Sequence, residues 1–74
     1  MALKNAAYIG KIVRETRKAQ GLTQTLLATA SGVGVRFIVD LEKGKEIAAL
    51  GKTLRIIQIL GIDITLTGPE NRKK

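Results

Sequence analysis

Gln24-Thr25-Leu26-Leu27-Ala28-Thr29-Ala30-Ser31-Gly32-Val33-Gly34-Val35-Arg36-Phe37-Ile38-Val39-Asp40-Leu41 is the stretch whose reading decides the fold. It reads as two short helices about a tight turn. Ala28 is small where two helices must cross closely. Gly32 can take the positive φ that a sharp turn after a helix demands, and Val33 is the next apolar position of the pattern. Ile38 and Leu41 share one face of the second helix and point back into a core. The opposite face is left free. This is the spacing of a helix-turn-helix, whose second helix can enter a DNA major groove.

Upstream, a first helix is expected from an N-cap at Asn5 to Gln20, with Ile9, Ile12 and Val13 at helical spacing and Ala19 extending the stripe. Gly21 stops it. Thr23 caps the second helix, Gln24 to Ser31, which turns Leu27 and Ala28 inward. After Gly32-Val33-Gly34 a third helix runs from about Val35 to Lys43, and Gly44 ends it. Residues 45–49 read as a loop. A fourth helix, Leu50 to Leu60, is expected to bury Leu50, Leu54, Ile57 and Leu60, with Gly61 as its stop.

The period then changes. Ile62, Ile64 and Leu66 alternate with Asp63, Thr65 and Thr67, as in a half-buried strand, and Gly68-Pro69 ends it. A single strand cannot satisfy its own backbone groups, and the chain offers no second one. The same strand of another copy, paired about a two-fold axis, would supply the partner. The alternative is an irregular extension that packs Ile62 and Ile64 onto the chain's own core. The expected fold class is therefore all-α, a bundle of four helices plus a C-terminal β-strand that pairs across a dimer. Residues 1–67 form one domain and 68–74 a basic flexible tail.

Seventy-four residues make one small domain with a marginal core, too small for a deep catalytic cleft. The 45% apolar content is enough to fold. Cysteine and histidine are both absent, which removes zinc fingers, thiol redox chemistry and the usual histidine sites together. Gly32-Val33-Gly34 looks like part of a phosphate loop but follows a helix instead of a strand. No enzyme, metal site or cofactor is expected. No apolar run reaches membrane-spanning length and the first residues lack a signal peptide's apolar region, so the expected compartment is the cytoplasm. Thirteen Lys and Arg against six Asp and Glu give a net charge of +7, which suits a polyanionic partner. The first segment concentrates it, with Lys4, Lys11, Arg14, Arg17 and Lys18 standing against Glu15 alone.

Three segments carry a family resemblance: Arg17-Lys18-Ala19-Gln20-Gly21-Leu22-Thr23-Gln24, Gly32-Val33, and Ile38-Val39-Asp40-Leu41-Glu42-Lys43-Gly44-Lys45. Over about residues 9–61 the chain resembles the Cro/CI-like (XRE-type) helix-turn-helix repressors, with a lambda-repressor-like bundle. A fourth helix ending in Leu-Gly before an alternating Ile/Leu strand is similar to the HipB-type antitoxin subgroup. The resemblance implies double-stranded DNA with a palindromic operator as ligand, a homodimer held by Ile62, Ile64 and Leu66, and, for the subgroup, a HipA-like Ser/Thr kinase as partner.

The resemblance also assigns residues. Gln24, after Thr23, would contact a phosphate and steady the recognition helix. Gly34, Val35, Arg36 and Phe37 open that helix at the positions that reach base edges, with Asp40 one turn on. A guanidinium can bond guanine O6 and N7 bidentately, so Arg36 is the candidate for direct readout, with a phosphate contact or a solvated side chain as the alternatives. Val35 and Phe37 have no polar side-chain atoms and could only meet thymine methyls or pack against neighbours. Asp40 either pairs with Arg36 at i+4 or accepts from cytosine N4. Lys43 and Lys45 flank Gly44 where the loop would follow the DNA backbone. Arg17 and Glu42 match a pair that joins the first helix to the end of the third.

Two departures from that pattern stand out. Leu26 occupies the position of a capping-box glutamate and should point outward. Gly34 replaces a Ser or Thr cap and weakens the start of the third helix by a few tenths of a kcal/mol. Three functions compete: an autoregulating antitoxin, a phage-type or orphan regulator without a toxin, and a protein-interaction module (coactivator or enzyme inhibitor) on the same scaffold.

Overall fold

A computed structural model describes residues 6–45 and 49–63. It contains four helices: α1 Ala6–Ala19, α2 Gln24–Ser31, α3 Val35–Glu42 and α4 Leu50–Leu60. Helix α3 packs against α1 and α2, and α4 closes the other side against the same two helices. The core they share consists of Val13, Leu27, Ala28, Ile38, Leu41, Ile56, Ile57 and Leu60, with Ile9, Leu22, Val33, Phe37 and Ile62 packed around it.

The helix ends follow one rule. Each helix runs into a glycine of positive φ, at Gly21, Gly32, Gly44 and Gly61. The next residue in each case donates its N–H five residues back: Leu22 to Arg17, Val33 to Ala28, Lys45 to Asp40 and Ile62 to Ile57. This is the Schellman arrangement, which satisfies carbonyls that a helix end would otherwise leave orphaned. Its usual companion is an apolar residue just after the glycine, folded back on the helix. Leu22, Val33 and Ile62 are those residues, and all three pack on the core. Gly32 matters most, because its left-handed φ of 71° sets the turn between α2 and α3.

The structure departs from the sequence reading in several places. Helix α1 ends at Ala19 and α3 at Glu42, one residue short of expectation in each case, with Lys43 as the α3 C-cap. Ala19 is exposed, and the last inward position of α1 belongs to Arg17. In α4 the buried set is Thr53, Ile56, Ile57 and Leu60, while Leu50 and Leu54 are 66% and 41% exposed. Two helical stripes share Ile57 and Leu60, and the one containing threonine wins. Burying Thr53 is tolerable because its hydroxyl donates to the Ala49 carbonyl at 3.2 Å.

Ile62 follows the α4 C-cap Gly61, donates its N–H to the Ile57 carbonyl and packs on the chain's own core. Among the described residues there is no strand. Ile64 and Leu66, the Asn5 cap and the tail lie outside the described residues.

Two helices approach so closely that one position tolerates no side chain. Gly10 in α1 is buried, and a Cβ built there would collide with the Leu41 carbonyl oxygen while lying 3.2 Å from the Glu42 backbone. Helix α1 therefore lies directly on the C-terminal turn of α3. That contact fixes the direction in which α3 projects.

Candidate nucleic-acid interface

Glu42, the last residue of α3, is the anchor of the site. Its carboxylate accepts from Arg17 Nε at 2.7 Å, from Arg17 Nη2 at 3.1 Å and from Gln24 Nε2 at 3.1 Å. Arg17 Nη1 donates to the Leu22 carbonyl at 2.8 Å. The two charged side chains are 11% and 3% exposed. A planar guanidinium matched to a carboxylate this way is both strong and directional. The network joins α1, the α1–α2 turn, the start of α2 and the end of α3, so the pairing of Arg17 with Glu42 is present and structural. Gln24 reaches the same carboxylate and thereby ties the α2 N-terminus to the end of α3.

Thr23 starts α2 in extended geometry, and its Oγ1 accepts from the Leu26 N–H at 3.0 Å. Leu26 points outward and is 55% exposed. Gly34 starts α3 with φ −76° and ψ 153° and no side-chain cap. The first turn of α3 thus presents uncapped N–H groups beside a backbone that no Cβ crowds, since none built at Gly34 would meet an atom within 4 Å. Such a helix start favours anions.

The outward face of α3 begins with Val35, 44% exposed, and Arg36, whose side chain is 82% exposed. Asp40 lies one turn later, with Oδ1 3.6 Å from Arg36 Nε and 3.5 Å from Lys45 Nζ. Of the two sequence alternatives for Asp40, the free chain shows the pairing with Arg36. Lys43 is exposed beside them. Phe37 differs from its neighbours: it is half-buried and packs on the core, and Lys52 Nζ stands 5.6 Å from its ring centroid. At that distance the ammonium is attracted to the ring face. Little of Phe37 remains to meet a base.

Sequence reasoning missed Lys52, whose place beside α3 comes from how α4 packs and leaves no local signal. It also missed two side chains that hold the frame. Gln20 Nε2 donates to the Leu60 carbonyl at 2.7 Å, and Arg55 Nη1 donates to the Ser31 carbonyl at 3.4 Å, each satisfying a helix C-terminus. On α1, Lys11, Arg14 and Lys18 are exposed and form no ion pair among the described residues. They leave positive charge on the exposed surface of α1. Among the described residues no acidic or thiol cluster could hold a metal, and no helix is long and apolar enough to cross a membrane.

With α2 and α3 crossing about Gly32 and α3 braced at its far end by Glu42, the domain is a helix-turn-helix. The comparison with known families agrees: the model of the helix-turn-helix family HTH_3 matches residues 13–66, most of the chain, and the chain belongs to that family. It is also 50% identical over 72 residues to "Uncharacterized HTH-type transcriptional regulator y4mF" of Sinorhizobium fredii, a match covering 97% of this chain and 95% of that protein.

Proposed function

We propose that this protein is a sequence-specific DNA-binding repressor that acts as a homodimer on a palindromic operator. The observation that carries the reading is Arg36, held 82% exposed in the first turn of a helix whose other end is locked to the core by Glu42. A rigid helix with an exposed guanidinium at its leading end suits insertion into a major groove and bidentate reading of guanine. Thr23, Gln24, Gly34, Lys43, Lys45 and Lys52 surround it with donors and positive charge for phosphates, and Val35 offers a methyl surface to thymine. The relative's description as a transcriptional regulator supports the same reading.

The finer assignment, an antitoxin of HipB type with a HipA-like kinase partner, rests on the alternation of Ile62, Ile64 and Leu66. Ile62 is already engaged as the apolar cap of α4. That observation favours a dimer that forms through residues other than Ile62. Leu50 and Leu54 leave an apolar flank on α4 where such a contact could sit.

Selection of bound duplexes from a random library tests the proposal. The expected result is an inverted repeat with half-sites about 10 base pairs apart, one helical turn, as a two-fold dimer requires. Uniform weak binding to every sequence would instead make the chain a protein-interaction module.

A further inference from the structure

We propose that Asp40 is a specificity-determining residue that restrains the two nearest cations from unselective phosphate binding. The inference rests on the DNA-binding reading above. Asp40 is the only carboxylate on the outward side of α3, because Glu42 is enclosed in its network with Arg17 and Gln24. Its Oδ1 lies between a cation of the helix, Arg36 at 3.6 Å, and a cation of the following turn, Lys45 at 3.5 Å. The turn itself is pinned to the same residue, since the Lys45 N–H donates to the Asp40 carbonyl at 3.1 Å.

The chemistry of that oxygen decides its role. Oδ1 is covered from solvent, yet it accepts no hydrogen bond. Both cations sit just beyond hydrogen-bonding length, so the interaction is one of charge, and the donors of Arg36 and Lys45 stay uncommitted. Oδ1 itself is badly placed to accept from a cytosine amino group, and only the exposed remainder of a side chain that is 27% exposed could do so. Oδ1 is well placed to offset two positive charges and to repel a phosphate that approaches them. A duplex of any sequence must overcome that opposition at every contact. An operator that lets Arg36 form a bidentate pair with guanine gains enough to do so. The carboxylate thus lowers all binding while lowering unselective binding more.

The test is Asp40→Asn, which keeps the shape and removes the charge, assayed by titration of fluorescent duplexes at several salt concentrations. Unselective duplex is expected to bind roughly three- to tenfold tighter, with a salt slope steeper by about one. The selected operator is expected to gain less, so the ratio of the two affinities falls. Adding Lys45→Gln to the variant is expected to cancel most of the gain, and matching thermal melts by circular dichroism would show that the fold is intact. Loss of preference at one base pair with unselective binding unchanged would make Asp40 a base reader and overturn the proposal. Unchanged binding of both duplexes would overturn it as well. Failure of the wild-type chain to bind any duplex would refute the DNA-binding reading itself, a different result from either.

Discussion

Glu42→Ala is expected to cost about 3–5 kcal/mol of folding stability, because it leaves a buried guanidinium without its counter-charge. Arg17 is only 11% exposed on its side chain and would keep a single hydrogen bond, to the Leu22 carbonyl. Gln24 would lose its acceptor in the same step. In a domain this small such a loss approaches the whole stability, so urea unfolding is expected to find the variant largely unfolded before denaturant is added. Replacing both charges, Arg17→Met with Glu42→Leu, removes the orphan and is expected to restore most of the loss, since apolar substitutes for a buried pair are often neutral or better. A cost below about 1 kcal/mol for Glu42→Ala would mean that the pair behaves like an exposed one and does not brace α3.

The second large effect concerns two glycines inside helices, for which the structure predicts opposite signs. Glycine in a helix interior is ordinarily worse than alanine by about 1 kcal/mol. Gly51, the second residue of α4, has room for a side chain, since an added Cβ meets nothing within 4 Å, and Gly51→Ala is expected to stabilise by about 0.5 kcal/mol, less than at an interior position. Gly10 has no such room. Its Cβ would strike the backbone of α3 at Leu41 and Glu42, and backbone cannot swing aside as a flexible side chain can. Gly10→Ala is expected to destabilise by about 3 kcal/mol, the upper end for overpacking, despite the better helix propensity. The same variant should tilt α3 and weaken any binding that depends on its direction. Thermal melts of the two variants side by side read the signs directly, and stabilisation by Gly10→Ala would contradict the close approach of α1 to α3.

Helix positions were legible from the chain because glycines punctuate it. Gly21, Gly32, Gly44 and Gly61 each end a helix in the left-handed region, and each was readable as a stop. The same local chemistry recurs at Ile62: Gly61-Ile62 repeats the pattern of Gly21-Leu22 and Gly32-Val33, a glycine followed by the apolar residue of its cap, and Ile62 packs on the core as the alternative of an extension onto the chain's own core expects.

The face of α4 was misread. Leucine and threonine stripes overlap at Ile57 and Leu60, and periodicity alone ranks leucine as more buried. Only the Thr53 hydroxyl bond to Ala49 makes the other stripe affordable. The closeness of Asp40 and Arg36 is legible from i,i+4 spacing, whereas that of Lys45 to Asp40 comes from the turn at Gly44. Lys52, Gln20 and Arg55 were not, because their partners are distant in sequence and are brought within reach by packing.

Whether α3 reads bases through Arg36 is decided by comparing the base-preference profiles of the wild-type chain and Arg36→Ala on the same random duplex library. The variant is expected to lose preference at one position in each half-site, with the selected operator weakened by roughly 1–3 kcal/mol and the remaining positions unchanged. An identical profile, with every sequence weakened alike, would show that Arg36 touches only phosphates and would contradict the assignment of α3 as the helix that reads sequence through this residue.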